Sequence, residues 1–240
     1  DCGIFISAAA CESKHRGHTW LASFPGSGST WLRKIIQAAT LIFTGSVYST
    51  DALLAAAHIN ASSPNGFLGM KTHAPINVFA FDDPDVPTSG EALLLLRNPL
   101  QASLSYTSFL LSGKVHDVEV RAETLRARLT DWLPTFLEAW KIHAEYYLYR
   151  FPGRRLVVRY EDLTGNPVVL LTKQVLPWMG INTSMPGVEE RIRCMVAQLG
   201  VRHSVVRRHH MSSINITQGD RDLAWRILGR LPLEAGYVDL

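Results

Sequence analysis

From Thr19 to Ile36 the chain reads Thr19-Trp20-Leu21-Ala22-Ser23-Phe24-Pro25-Gly26-Ser27-Gly28-Ser29-Thr30-Trp31-Leu32-Arg33-Lys34-Ile35-Ile36: a buried strand, a glycine-serine turn and a helix in immediate succession. Strand and helix continue to alternate downstream, which calls for an α/β fold with a parallel sheet and helices on both faces. Gly26 and Gly28 let the backbone approach a ligand closely. The first N–H groups of the helix have no intrahelical partner and carry the positive end of the dipole, so the turn is a ready anion site. Ser27, Ser29 and Thr30 add hydroxyl donors, and Trp31 offers a flat face on which a purine can stack. Phosphate and purine together suggest a nucleotide. The other reading of this stretch is a strand-to-helix turn with no ligand.

The loop departs from that of a nucleoside triphosphatase, although a P-loop nucleotide kinase stays as a further alternative. In G-x-x-x-x-G-K-[ST] a lysine reaches the β- and γ-phosphates, whereas here the glycines are too close and no lysine precedes Ser29-Thr30. That argues against a kinase or GTPase. After the loop, Trp31, Ile35, Ile36, Ala39 and Ile42 fall at helical spacing, and the helix is expected to end near Phe43-Thr44-Gly45. A short helix is expected over 51–58.

Corroboration comes from further strand ends. The apolar run Phe67-Leu68-Gly69-Met70-Lys71 leads into Lys71-Thr72-His73-Ala74-Pro75. A lysine and a histidine at the carboxyl end of a strand sit where open parallel sheets bind ligands, which makes His73 a candidate general base. A loop histidine bonded to backbone is the alternative. Glu91-Ala92-Leu93-Leu94-Leu95-Leu96 is a strand buried on both faces, and it breaks at Arg97-Asn98-Pro99. Arg97, with a serine in the following helix, could clamp one phosphate; pairing with a carboxylate would account for it equally well. Two helices are then expected, the second capped by Asp131 with Pro134 in its first turn. Trp132, Leu133, Phe136, Leu137, Trp140, Ala144 and Tyr147 form its core stripe. Residues 155–160 read as another strand, followed by helices over 166–179, 187–199 and 220–229. The basic run Arg207-Arg208-His209-His210 lies between the last two, as a solvated surface or as a lid carrying cations over a phosphate.

Composition narrows the remaining classes. The 240 residues suit one α/β domain, with an arm over 1–18 and the domain over 19–240, and the 47% apolar content suffices for a large core. The net charge of +3 is dispersed, with no basic run long enough for a nucleic-acid tail. No apolar run reaches the ~18 residues of a membrane helix, although Asp1 in place of Met leaves room for an upstream signal or anchor. His15 and His18 have a metal-compatible spacing without a second pair, so solvated histidines are expected there. Cys2 and Cys11 could close a small terminal loop; otherwise Cys2, Cys11 and Cys194 are free thiols. Sequons at Asn60, Asn182 and Asn215 suggest the secretory pathway.

Taken together, these segments resemble the sulfotransferases that use 3′-phosphoadenosine 5′-phosphosulfate (PAPS), from about Trp20 to Tyr237. The resemblance implies a three-layer α/β sandwich of the P-loop type around a central parallel sheet. It implies that the loop Gly26, Ser27, Gly28, Ser29, Thr30 binds the 5′-phosphosulfate, that Trp31 packs on adenine, and that Arg97 and Ser105, eight residues apart, bind the 3′-phosphate. Tyr160, before Glu161-Asp162, matches the tyrosine near the adenine. Lys71-Thr72-His73-Ala74-Pro75 matches the Lys-Thr-His-x-Pro of hydroxyl sulfotransferases, with His73 as base and Lys71 as electrophilic partner. Two departures stand out. Many members carry a lysine where this chain has Gly26, so Lys71, Arg33 or the helix N-terminus must substitute; and the carboxy-terminal Arg-Lys-Gly loop is matched only by Arg207-Arg208-His209. Loss of that lysine also leaves open a non-catalytic nucleotide-binding role. No metal is expected, since the leaving phosphate is already stable. The phrase Ser-Phe-Pro-Gly-x-Gly-x-Thr-Trp-Leu-Arg is similar to sulfotransferase domains attached to WSC modules, which implies a carbohydrate acceptor and the Golgi lumen, with the cytoplasm as the alternative.

Overall fold

The computed structural model describes residues 19–48, 51–55, 67–76, 86–113, 120–211 and 214–240, without the side chains of Ala52 and of 201–211. The expected arm over 1–18, and with it His15, His18, Cys2 and Cys11, lies outside the described residues.

Five strands form one sheet in the order β2-β3-β1-β4-β5. They are β1 (Thr19–Ser23), β2 (Gly45–Ser46), β3 (Met70–Thr72), β4 (Glu91–Leu96) and β5 (Arg154–Arg159), and all neighbours run parallel. The chain starts at the centre, moves to one side and returns to the other. β1 therefore lies at the topological switch point, where the crevice beyond the strand ends opens. Strand β4 shows why the molecule has two cores. Its side chains alternate, so Ala92, Leu94 and Leu96 enter one apolar cluster while Leu93 and Leu95 enter the other, and all five are at most 1% exposed.

Helix α1 (Ser29–Thr40) buries Leu32, Ile35, Ile36 and Ala39 on one face of the sheet. It ends earlier than its apolar spacing suggests: Leu41 turns left-handed at φ 61° and its N–H donates to the Gln37 carbonyl. Helix α8 (Val188–Met211) packs alongside it, and Arg191 donates to the carbonyls of Ala38 and Ala39 at 3.0 and 2.9 Å, satisfying the open end of α1. A four-residue helix, α2 (Ala52–Ala55), stands within the expected 51–58.

On the opposite face lie α3 (Pro99–Leu111), α4 (Ala122–Glu145) and α9 (Gln218–Leu228). Asn98 caps α3 by accepting from Leu100 and Gln101, with Pro99 in its first turn. Where two helices were expected, α4 is a single helix with Pro134 inside it, and Asp131 is interior rather than a cap. Leu125, Leu129, Leu133, Phe136, Leu137, Trp140 and Ala144 keep helical period across the proline. Pro134 and Thr130, whose carbonyl loses its partner, both face solvent, where water can replace the missing bond. Arg126 of α4 holds Asp220 of α9 through two bonds of 2.6 and 2.8 Å.

After β5 come α5 (Tyr160–Gly165), α6 (Pro167–Leu170), a π-helical turn (Leu171–Val175) and α7 (Leu176–Trp178). A last short helix, α10 (Leu231–Glu234), leads into the C-terminal residues. The basic run at 207–210, expected as a loop between helices, is helical backbone because α8 continues to Met211. No proline interrupts 188–211, and Gly200 costs only ~1 kcal/mol inside a helix. The side chains of Arg207 and Arg208 lie outside those described. Among the described residues, no helix is long and apolar enough to cross a membrane.

Candidate functional site

The loop between β1 and α1 is folded against α3 and α5. Gly26 and Gly28 have φ of 80° and 92°, a conformation side chains disfavour. A Cβ on Gly26 would collide with the Ala102 carbonyl of α3, and one on Gly28 would stand 2.6 Å from the Tyr160 ring. Packing thus excludes a lysine at Gly26, so its absence belongs to the geometry of this loop. Ser27 donates its N–H to Phe24, yet its hydroxyl, in a side chain 1% exposed, has no partner among the described residues. An orphaned hydroxyl beside the unpaired N–H groups of α1 fits a ligand with acceptor oxygens. Ser29 and Thr30 start α1 and are partly exposed, and no acidic residue occupies its first turn.

Arg97, at the end of β4, donates from Nη1 to the Gly26 carbonyl at 2.8 Å, and its guanidinium carbon lies 4.3 Å from the centre of the Tyr160 ring. Trp140 of α4 fixes the same residue by donating from Nε1 to the Arg97 carbonyl. Tyr160, the first residue of α5 rather than the last of a strand, meets Trp31 edge-on at 6.4 Å. Gly26, Gly28, Trp31, Arg97 and Tyr160 therefore form one constellation. Ser105 is buried on α3, in the turn between Ala102 and Tyr106 against which Gly26 packs.

His73 follows β3 and is 3% exposed. Its Nδ1 lies 2.5 Å from the carbonyl of Ser23, the last residue of β1. A carbonyl only accepts, so Nδ1 carries the proton and Nε2 carries the lone pair, the tautomer required of a base. The His73 N–H donates to the Tyr48 hydroxyl at 2.7 Å, and the two rings stack at 5.4 Å. Burial, reinforced by the Lys71 cation, pushes the imidazole well below its ordinary pKa. Burial also pushes Tyr48 up to about 12, so it stays a neutral phenol.

Beside His73 is a charge cluster that spacing alone does not reveal. Asp51 Oδ2 receives Arg33 Nη1 at 2.7 Å and Lys71 Nζ at 3.3 Å. Burial alone would raise Asp51, but Lys71 and Arg33 outweigh it and hold the carboxyl at about 2. Lys71 is pushed down by its own burial, with Asp51 opposing. Arg33 also donates to the Thr44 hydroxyl at 2.8 Å and the Thr44 carbonyl at 3.0 Å and is 1% exposed, which commits it to structure and removes it as a substitute for the missing loop lysine. Asp51 and Tyr48 escape sequence reasoning because their partners lie 18 to 25 residues away and follow no period. A further buried pair, His143 and Tyr147 at 4.9 Å, has polar ring atoms with no partner among the described residues, and burial takes His143 down to about 3.

Cys194 on α8 is disulfide-bonded, which corrects the expectation that it is a free thiol or stands outside a Cys2–Cys11 bridge.

No family model matches the chain. Among curated proteins it is similar to a WSCD family member of Aedes aegypti, 33% identical over 158 residues, or 65% of this chain and 48% of that protein. A WSCD family member of Drosophila melanogaster is 30% identical over 181 residues, 74% of this chain and 54% of that protein; one of Drosophila pseudoobscura pseudoobscura is 30% identical over 148 residues, 60% and 45%. The chain spans about half the length of these relatives. A crystal structure of a mouse sulfotransferase complexed with PAP superposes with a TM-score of 0.50 at 15% identity, covering 75% of this chain and 63% of that one. The fold is thus the α/β sulfotransferase type that the resemblance implied.

Proposed function

We propose that the chain transfers a sulfuryl group from PAPS to an acceptor hydroxyl, with a carbohydrate as the acceptor class. The observation that carries the reading is the bond from His73 Nδ1 to the Ser23 carbonyl, which hangs a base with its lone pair on Nε2 from the strand that feeds the anion loop. The donor brings an activated sulfuryl group and a phosphate as leaving group. The N–H groups at the start of α1, with Ser27, Ser29 and Thr30, hold its 5′ side. Arg97 and Ser105 take the 3′-phosphate, and Trp31 and Tyr160 flank the base. His73 accepts the acceptor's proton at Nε2, and Lys71 meets the negative charge that develops on oxygen. Arg207 and Arg208 are kept as candidate phosphate contacts on α8.

A luminal, oxidising compartment, the Golgi in this reading, is supported by the disulfide at Cys194 and by exposed asparagines in the Asn182 and Asn215 sequons. A binding-only role is favoured by one observation, the exclusion of a lysine at Gly26. Affinity for the nucleotide without consumption of the donor over a panel of glycans would establish it.

Calorimetric titration of adenosine 3′,5′-bisphosphate against ATP with magnesium tests the cofactor. The bisphosphate is expected to bind selectively, and Arg97→Ala to weaken it by about 10- to 100-fold, the worth of a charge-assisted bond. Preference for ATP, or binding of neither, would overturn the proposal.

A further inference from the structure

We propose that Asp51 is a positioning residue of the donor site, holding the Lys71 ammonium in reserve as an internal stand-in for the donor's sulfonate and releasing it when the sulfonate arrives. The inference rests on the reading of the site as a PAPS site and adds to it how the missing loop lysine is replaced.

Two cations share one carboxylate, and they share it unequally. Arg33 is fixed: it is 1% exposed, meets Asp51 at 2.7 Å and is anchored on both the hydroxyl and the carbonyl of Thr44. Asp51 Oδ1 also accepts from the N–H groups of Leu53 and Leu54 at 3.2 and 3.4 Å. The carboxylate therefore keeps one guanidinium and two amide donors even without Lys71. Lys71 is held more loosely, at 3.3 Å, and its side chain is 13% exposed against 3% for Asp51. Among the described residues Asp51 is its only acidic partner. Arg33, Lys71 and Asp51 together carry a net charge of +1, enough to meet one monoanionic sulfonate. An ammonium on a flexible stem can change partners, whereas the Arg33 fork is pinned.

Placement suits the role. Lys71 lies two residues before His73, on β3, directly beside the strand that leads into the anion loop. Its pairing with Asp51 keeps a buried cation compensated until an anion comes, since an unpaired buried charge is costly. Asp51 and the sulfonate thus compete for one cation. Removing the competitor should favour the ligand, the reverse of what loss of a purely structural acid would do.

The test titrates the whole chain with two nucleotides, adenosine 3′,5′-bisphosphate, which lacks the sulfonate, and PAPS without acceptor. Lys71→Met is expected to weaken PAPS about tenfold or more and the bisphosphate less than about twofold. Asp51→Asn is expected to strengthen PAPS about three- to tenfold with the bisphosphate unchanged, and to gain nothing in the Lys71→Met background. Turnover by Asp51→Asn should fall although the donor binds more tightly, because the ammonium is no longer aimed. Should Asp51→Asn fail to fold with Arg33 unpaired, Arg33→Met/Asp51→Asn removes both buried charges, and the same comparison is made on it. Parallel weakening of both nucleotides by Asp51→Asn, or a gain that survives Lys71→Met, overturns the inference while leaving the nucleotide reading standing. Failure of the wild type to bind either nucleotide sinks that reading and this inference with it.

Discussion

His73 is held by the Ser23 carbonyl, the Tyr48 hydroxyl and the Tyr48 ring, and these contacts decide what it can do. Burial and the Lys71 charge depress its pKa, so the proton-free form needed of a base persists below the usual imidazole range near 6.5. Turnover should therefore keep its acid limb well below pH 6.5, and His73→Ala should cost about 10²–10⁴-fold in turnover with bisphosphate affinity unchanged. A pH–rate profile and a titration of the variant check both; an acid limb at or above pH 6.5 would exclude His73 as the base. The same burial has a cost in stability. Below about pH 6.5 the unfolded chain takes up protons on histidine that buried His73 and His143 refuse, so stability falls with pH, for His143 down to about 3. His143→Leu removes one such proton and two unsatisfied ring nitrogens, so its urea midpoint should drop less between pH 7 and pH 5 than that of the wild type. Equal drops would remove His143 from the acid response. At this scale the closeness of Lys71 and His73 was legible, since they stand two residues apart at the end of one strand. Asp51 was not, because a buried carboxylate between two distant cations has no signature in its neighbours.

Elements were legible where periodicity and packing agree, and misread where a local breaker competes with the core. β4 and α3 fall where the apolar run and Pro99 put them, and α1 follows the loop as expected but stops at Thr40, short of its apolar spacing. Helix α4 did not, because Asp131 and Pro134 look like a helix start while the stripe from Leu125 to Ala144 runs through them. Burial of that stripe outweighs one absent hydrogen bond, since each large apolar side chain contributes about 1.5–3 kcal/mol on burial. The price should be recoverable. Pro134→Ala restores an N–H for the Thr130 carbonyl on an exposed face and relieves the ring's clash, worth about 3 kcal/mol, less the roughly 1 kcal/mol by which proline restricts the unfolded chain. The variant should gain about 2 kcal/mol in denaturant unfolding with bisphosphate affinity unchanged. A loss of stability would mean that the proline sets a bend the core requires.

The whole molecule couples its C-terminal residues to the anion loop through one carboxylate, a connection across the chain that local patterning cannot carry. Glu161, just after the site tyrosine, accepts the Asn98 N–H on one oxygen at 3.0 Å and the Tyr237 hydroxyl on the other at 3.0 Å. Asn98 caps α3 and follows Arg97, which in turn holds the Gly26 carbonyl. Arg159 adds a second tie, donating to the Gly236 carbonyl at 2.8 Å. The resemblance marks Tyr-Glu-Asp as a candidate site motif, whereas in the fold Glu161 serves as a brace whose partners are 63 and 76 residues away. Tyr237 is 6% exposed, and burial with the Glu161 charge raises its pKa, so it remains a neutral donor throughout the working range. Tyr237→Phe removes only the hydroxyl. It should lower stability by about 1–2 kcal/mol, the worth of one partly buried bond to a carboxylate, and should weaken bisphosphate binding several-fold by letting Glu161, Asn98 and then Arg97 relax. Denaturant unfolding and calorimetry on the same variant separate the two effects. A stability loss with unchanged affinity would confine the brace to the fold, whereas loss of both, with no further loss when Arg97→Ala is added, would place Tyr237 on the line that holds the arginine over the loop.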